Sequence, residues 1–170
     1  IAGQRKRLPL DVLRKTTPAD GIITGIGCIN GELFGEENKE LTRCGVLSYD
    51  YLVLAGTQGG HGHHKTDRVL ELCEQQMLPI VFFCEGGGGR PGDTDPSPAG
   101  SSGAGLSVRT FATFGGLSGL IPIVGLTSGY CFAGNAALLG CCDVIIATKG
   151  SNIGMGGPAM IEFGGLGVFK

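Results

Sequence analysis

Two glycine-rich turns are the parts of this sequence best suited to chemistry. The first spans residues 85–90 and follows an apolar run at 79–84; the second spans residues 128–135 and follows an apolar run at 120–126. A glycine turn leaves backbone N–H groups uncovered, and a helix that begins in the second turn adds further N–H groups without partners. Such groups bind a phosphate, or the negative oxygen that develops on a carbonyl during reaction.

Other chemistries have weaker support. The sequence holds no G-x-x-x-x-G-K-[ST] phosphate loop, and no G-x-G-x-x-G run opens a helix directly. His61, His63 and His64 have no cysteine pair nearby, so we expect a solvated loop and helix start rather than a metal site, with contact to a charged ligand as the alternative. Ser128 is not in a G-x-S-x-G elbow. The alternative that the glycines only form tight turns stays open at this point.

The segments around these turns alternate between strand and helix. Apolar runs predict strands, and periodic segments predict helices, with Asn30-Gly31 as a hairpin turn. The predicted strands are 21–29, 44–54, 79–84, 120–126 and 144–147; the helices are 10–15, 63–76, 106–117 and 134–142; turns or loops are 36–43, 91–105, 129–133 and the glycine-rich 153–167. The continuous apolar run at 79–84 predicts a strand buried on both faces, and 120–126 predicts another buried strand. This alternation favours an α/β fold.

Composition limits the function further. The 170 residues suggest one domain, and a net charge of −2 gives no basic face for nucleic acid. Residues 110–142 carry no charge, but Pro122 and several glycines argue for a buried strand, loop and helix rather than a membrane span. Seven cysteines without a CxxC pair predict free thiols in a reducing compartment. The first residue is not methionine, so we expect a fragment of a longer chain, with residues 1–20 as a leader segment.

Four motifs resemble the carboxyltransferase component of biotin-dependent acyl-CoA carboxylases. They are YDYLVLAGTQGG at 49–60, EGGGGR at 85–90, GYCFAGNA at 129–136 and IGMGGPAM at 153–160. The resemblance covers about residues 20–169 and is closest to the fused or long-chain type. It implies the crotonase-like α/β fold, a spiral of ββα units, with residues 21–170 as the acyl-CoA-binding, N-terminal half.

The resemblance also implies a reaction, in which CO2 passes from carboxybiotin to the α-carbon of an acyl-CoA through a thioester enolate. Matching the motifs assigns the N–H groups that hold the enolate to Gly87, Gly88 and Gly134. The implied substrate-binding residues are Gly86, Gly89, Arg90, Phe132, Ala133 and Gly157. Arg90 would either anchor its loop or contact the ligand. No metal is implied.

The resemblance also implies particular partners. They are biotin on a carrier domain, coenzyme A as part of the substrate, a biotin carboxylase, and a C-terminal carboxyltransferase half. A homo-oligomer in the cytoplasm, or in the mitochondrial matrix of a eukaryote, is also expected. Because that second half is absent from this sequence, the chain could bind acyl-CoA without turning it over.

The sequence departs from related acid–base enzymes. The two catalytic glutamates of enoyl-CoA hydratases fall at Ala137 and Ala159, so hydration is not expected. Carboxyl transfer does not need them, because biotin supplies the difficult chemistry. Gly89 stands where the family has alanine, and Tyr130 and Phe132 replace smaller residues, which leaves the acyl length open. Two alternatives remain: a biotin-independent crotonase-type decarboxylase of malonyl-type thioesters, and a non-catalytic assembly module.

Overall fold

A five-stranded sheet forms the centre of the molecule. The computed structural model describes residues 8–90, 108–165 and 167, so the predicted loop at 91–105 lies outside the described residues. In their order across the sheet, the strands are β1 (Ile22–Cys28), β2 (Arg43–Tyr49), β3 (Ile80–Phe83), β4 (Ile123–Thr127) and β6 (Val144–Ala147). β1 pairs antiparallel with β2, and the other pairs are parallel. A smaller sheet pairs β5 (Tyr130–Phe132) with β7 (Asn152–Gly154) in parallel.

Three helices connect the parallel strands, as parallel pairing requires: α3 (Gly60–Gln76), α4 (Arg109–Gly116) and α5 (Gly134–Leu139). The other helices are α1 (Leu10–Thr16), α2 (Gly31–Phe34) and α6 (Pro158–Phe163), and 3-10 turns lie at Pro18–Gly21, Glu36–Thr42 and Leu54–Gly56. The charge-free segment folds as α4, β4, β5 and α5. In the described ranges, no helix combines the length and the apolar character that crossing a bilayer demands.

One unit repeats four times in the described part: a main-sheet strand, a short extended segment in a second layer, and a helix. β4-β5-α5 and β6-β7-α6 show the unit in full. In the two earlier units, a single residue takes the place of the second strand. Gln58, between β2 and α3, pairs with Gly89, and Gly86, after β3, pairs with Cys131. The spiral of ββα units that the resemblance implied is therefore confirmed.

The core lies on the helix-covered face of the main sheet. Phe82 of β3 packs between Tyr49 and Phe114, with ring centroids 6.0 Å and 5.5 Å apart. Its neighbour Phe83 is 39% exposed. The expectation that residues 79–84 are buried on both faces is therefore wrong, since β3 alternates between a covered and an open face.

Three local predictions also need correction. Asn30 adopts a left-handed conformation (φ 54°), but it leads into α2 and a 3-10 turn, so β1 and β2 are not joined by a tight hairpin. The predicted turn at 129–133 contains β5, because Tyr130–Phe132 pairs with β7, a partner distant in sequence. The glycine-rich segment 153–167 contains α6, which begins with Pro158 in its first turn.

His63 is buried, in contrast to the predicted solvated helix start. Its Nδ1 lies 2.9 Å from Thr110 Oγ1. The Thr110 hydroxyl donates to Asp67 Oδ1 at 2.5 Å, so we assign the proton of the imidazole to Nδ1. Burial lowers the pKa of His63, and the Asp67 carboxylate opposes this effect. The helix α3 is thereby joined to α4 by a neutral imidazole.

We expect the folded chain to lose stability as the pH falls below 6.5, the ordinary pKa of histidine, because the unfolded chain then binds a proton that folded His63 resists. Urea unfolding of the wild type and of His63→Asn at pH 7.5, 6.5 and 5.5 measures this effect. The wild type should have the larger free energy of unfolding at pH 7.5, and its difference from His63→Asn should decrease as the pH falls. His61→Asn, at an exposed position, should keep the wild-type slope. An advantage that stays constant across the pH range would contradict this prediction.

Candidate active site

The two glycine turns meet where β3 and β4 end, the edge at which parallel sheets bind ligands. The Gly86 N–H donates to the Tyr130 carbonyl at 2.8 Å, and the Phe132 N–H donates back to the Gly86 carbonyl at 2.8 Å. A Cβ placed on Gly86 would lie 2.2 Å from both Asn135 Nδ2 and the Gly56 oxygen. Only glycine therefore allows the first turn to pack this closely against the second.

Gly88 brings the first turn against the start of α5. Its φ is 85°, and an added Cβ would lie 2.5 Å from the Ala133 Cβ and 3.1 Å from the Gly134 nitrogen. Ala133 itself adopts φ 50° and ψ −120°, a strained conformation at the sharp turn between β5 and α5. The strain shows that tertiary contacts, rather than local preference, fix this turn.

The N–H groups of Gly87 and Gly88 both have acceptors within the protein. Gly87 donates to the Ala55 carbonyl at 3.0 Å, and Gly88 donates to Asn135 Oδ1 at 3.0 Å. The structure therefore does not support the prediction that these two groups hold a ligand oxygen. They fix the shape of the turn instead.

Gly89 and Gly134 show the opposite behaviour. Among the described residues, neither N–H has a hydrogen-bond acceptor. Gly89 is exposed, and no described atom lies within 4 Å of a Cβ placed on it. Gly134 follows the strained Ala133, and its nitrogen faces Gly88, the residue before Gly89. The two free donors thus lie on adjoining segments of the two turns.

Asn135 organises this arrangement and is absent from the sequence-based site. Its side chain is fully buried. While Oδ1 accepts from Gly88, Nδ2 donates to the carbonyls of Gly56 and Cys84, each at 3.4 Å. One amide therefore holds three backbone segments. The sequence feature that could have pointed to Asn135 is a single polar side chain at an otherwise apolar helix start.

Arg90 anchors the first turn from inside the protein. Its side chain is 2% exposed, and Nη1 lies 2.7 Å from Asp20 Oδ1. Nη2 donates to the backbone oxygens of Asp20 and Thr57 at 3.0 Å and 2.9 Å. Of the two roles expected for Arg90, these contacts favour the loop anchor over the ligand contact.

The partner of Arg90 lies in an unusual turn before β1. Ala19, Asp20 and Gly21 have φ values of 53°, 57° and 75°, so three successive residues are left-handed. Lys65 Nζ donates to the carbonyls of Ala19 and Ile22, and the Gly62 N–H donates to Asp20 Oδ2 at 2.8 Å. The turn before β1 is thereby held both by α3 and by the glycine turn.

The remaining candidates are two predicted substrate-binding residues and three side chains considered for other chemistries. Phe132 and Gly157 lie together, since a Cβ placed on Gly157 would be 3.7–4.0 Å from the Phe132 ring. Ser128 does not have the surroundings of a nucleophile, because its hydroxyl donates to Glu85 Oε1 at 2.8 Å. His61 and His64 are exposed. No cluster of three or more metal-ligating side chains occurs within residues 8–90, 108–165 and 167.

Comparison with known proteins identifies the family to which this chain belongs. Residues 5–164 match the family described as carboxyl transferase domain. Among curated proteins, the chain is 33% identical over 146 residues to an uncharacterized carboxylase, YngE, of Bacillus subtilis. That match covers 85% of this chain and 26% of the relative. The chain thus spans about a quarter of that protein's length.

Solved structures with the same fold include two carboxylating enzymes. The first is a single-chain, multi-domain long-chain acyl-CoA carboxylase, with a TM-score of 0.85 and 54% identity; it covers 98% of this chain and 16% of that one. The second is the transcarboxylase 12S hexamer with hydrolyzed methylmalonyl-CoA bound, with a TM-score of 0.72 and 26% identity, covering 96% of this chain and 29% of that one.

Substituting Gly88 and Gly89 separately tests the packing of the first turn. Gly88→Ala should destabilise the fold by about 2–5 kcal/mol, since it adds left-handed strain to a clash with Ala133. Gly89→Ala should change the stability by less than about 1 kcal/mol, because its side chain enters open space. Urea denaturation followed by circular dichroism measures both. Equal effects would show that the packing at Gly88 is not decisive.

Asp20→Ala tests the anchor of the first turn. Removing the carboxylate that faces the buried Arg90 guanidinium should cost about 3–5 kcal/mol. Glu40→Ala is the matched control, because it breaks the exposed Glu40–Arg43 pair and should cost less than about 1 kcal/mol. The free energy of unfolding in urea distinguishes the two. A loss below about 1 kcal/mol for Asp20→Ala would refute the anchoring role.

Proposed function

Because this chain belongs to the carboxyl transferase domain family, we propose that it forms the acyl-CoA half of a biotin-dependent acyl-CoA carboxylase. In this role it binds the thioester of an acyl-CoA and stabilises the enolate that accepts the carboxyl group. The observation that carries the proposal is the pair of free N–H groups at Gly89 and Gly134. The identity to a long-chain acyl-CoA carboxylase structure supports a long-chain substrate.

The N–H pair is suited to a thioester oxygen. Removal of the α-proton from an acyl thioester places negative charge on that oxygen, and fixed N–H donors lower the free energy of the charged state. Gly87 and Gly88 hold the donors in place through their own hydrogen bonds to Ala55 and Asn135. The donors are therefore fixed before the ligand arrives.

Among the described residues, the carboxylate nearest to Gly89 in sequence is already engaged in hydrogen bonds. It belongs to Glu85, which accepts from both the N–H and the hydroxyl of Ser128. Ala137 stands where hydratases carry a glutamate. This donor set fits a reaction whose carboxyl donor and proton acceptor come from a separate group. Biotin, when bound, supplies the carboxyl group.

The partners follow from the same proposal. The chain spans only part of its relatives, so we assign the biotin-binding half, the biotin carboxylase and the carrier domain to other parts of the enzyme. A homo-oligomer and a cytoplasmic or mitochondrial location stay predictions. No described atom lies within 4 Å of a Cβ placed on Gly89, which supports a place for a second reactant beside the thioester.

Calorimetric titration with butyryl-CoA, its thioether analogue S-butyl-CoA and free CoA tests the N–H pair. The thioester should bind about tenfold more tightly than the thioether, because two hydrogen bonds to the carbonyl contribute roughly 0.5–1.5 kcal/mol each. Gly88→Ala, which displaces Gly134, should abolish the difference, and the control Gly115→Ala on α4 should keep it. Equal binding of thioester and thioether by the wild type would refute the N–H pair.

An assay with malonyl-CoA distinguishes the proposed biotin-dependent carboxyltransferase from a biotin-independent decarboxylase. Incubated with this chain, the complementary half and free biotin, it should lose its carboxyl group only when biotin is present. Carbon dioxide release without biotin would favour the decarboxylase. A folded oligomer that binds no thioester would favour the assembly module.

A further inference from the structure

Gln58 is a buried polar residue that contacts both glycine turns. It lies in the segment between β2 and α3 and is 2% exposed. Glutamine is mostly found at protein surfaces, so its burial here needs a physical reason. Its backbone adjoins Gly89 and its side chain adjoins Gly134, the two residues with free N–H groups.

The backbone of Gln58 determines the direction of the Gly89 N–H. The Gln58 N–H donates to the Gly88 carbonyl at 2.6 Å, and the Arg90 N–H donates to the Gln58 carbonyl at 2.9 Å. These two bonds flank Gly89 and form a parallel bridge. In such a bridge, the residue between the two bonds turns its own N–H and carbonyl away from the pairing segment. This direction accounts for the lack of an acceptor for the Gly89 N–H among the described residues.

The side chain of Gln58 reaches the second donor. A Cβ placed on Gly134 would lie 2.8 Å from Gln58 Oε1 and 3.1 Å from Phe111 Cζ. Gly134 is therefore confined between Gln58 and the ring of Phe111 on α4. Because the preceding residue, Ala133, is held in a strained conformation by its surroundings, we expect Gly134 to shift when the support from Gln58 is shortened.

Contact, rather than a hydrogen bond, holds the amide of Gln58 in place. The amide lies near the Tyr49 hydroxyl, where burial raises the pKa and Gln58 opposes that rise. Its Nε2, however, meets no described atom at the distance and angle of a hydrogen bond. The length of this side chain therefore matters more for the position of Gly134 than the amide group at its end.

We propose that Gln58 is a positioning residue for the enolate. Its backbone directs the Gly89 N–H, and the length of its side chain holds the Gly134 N–H where one oxygen can accept from both. The inference rests on the proposed function, which supplies the thioester oxygen. Two donors stabilise one oxygen only when both nitrogens lie about 2.7–3.1 Å from it. A small shift of Gly134 therefore removes one hydrogen bond and leaves the rest of the ligand site intact.

Two variants that separate length from polarity test this role. Gln58→Asn keeps the amide and is one methylene shorter, whereas Gln58→Met keeps the length and has no amide. Each is titrated calorimetrically with butyryl-CoA, S-butyl-CoA and free CoA, beside the control Gln75→Asn at an exposed position of α3. The roughly tenfold preference for the thioester should fall to about threefold in Gln58→Asn, since one of two hydrogen bonds is lost, and should persist in Gln58→Met and Gln75→Asn.

The affinities for S-butyl-CoA and free CoA distinguish positioning from general damage to the fold. Both ligands lack the thioester oxygen, so their affinities should stay within about twofold of the wild type in every variant. Circular dichroism verifies that each variant is folded. Should Gln58→Asn fail to fold, Gln58→Thr, which is also short and polar, takes its place.

The positioning role would be overturned by a thioester preference that Gln58→Asn retains or that Gln58→Met loses. Equal weakening of all three ligands in Gln58→Asn would also overturn it, because that result indicates a purely structural role. Each of these results leaves the proposed function standing. Equal binding of thioester and thioether by the wild type would instead refute the N–H pair of the proposed function itself.

Discussion

The buried ion pair between Arg90 and Asp20 is the contact on which the site depends. An isolated charge inside a protein is unstable, so Arg90 enters the interior only with a carboxylate and backbone oxygens around it. These partners come from the turn before β1 and from Thr57. Because Arg90 follows Gly89 directly, the pair determines where the free N–H of Gly89 lies. A segment about 70 residues away in the chain thus takes part in building the glycine turn.

A second constraint is the close packing of the two glycine turns against each other. Gly86 and Gly88 let backbone meet backbone, and the contact forces Ala133 into a strained conformation. Asn135 stabilises the result, because its amide satisfies the Gly88 N–H and reaches two carbonyls. Buried polar networks of this kind hold one geometry firmly when every member is paired. The strain at Ala133 therefore persists without local support from the sequence.

Much of the fold was accessible from the sequence. Apolar runs located the five main-sheet strands, and four motifs in order indicated the ββα spiral, which the structure and the comparisons confirm. Details that depend on distant partners were not accessible. β5 exists because β7 pairs with it, and His63 is buried because α4 brings Thr110 against it. The motif likewise pointed to Gly87 and Gly88, whereas their acceptors lie in other segments of the chain.

Glycine therefore has two physical roles here, and only the three-dimensional contacts separate them. At Gly88 a side chain is excluded by a positive φ and by Ala133, so glycine maintains a shape. At Gly89 nothing in the described backbone excludes a side chain, so glycine leaves the position open. A ligand needs both roles, since fixed donors are useful only when the space beside them is empty. The 33 glycines of this chain are thus better understood by what their missing side chains would touch than by their number.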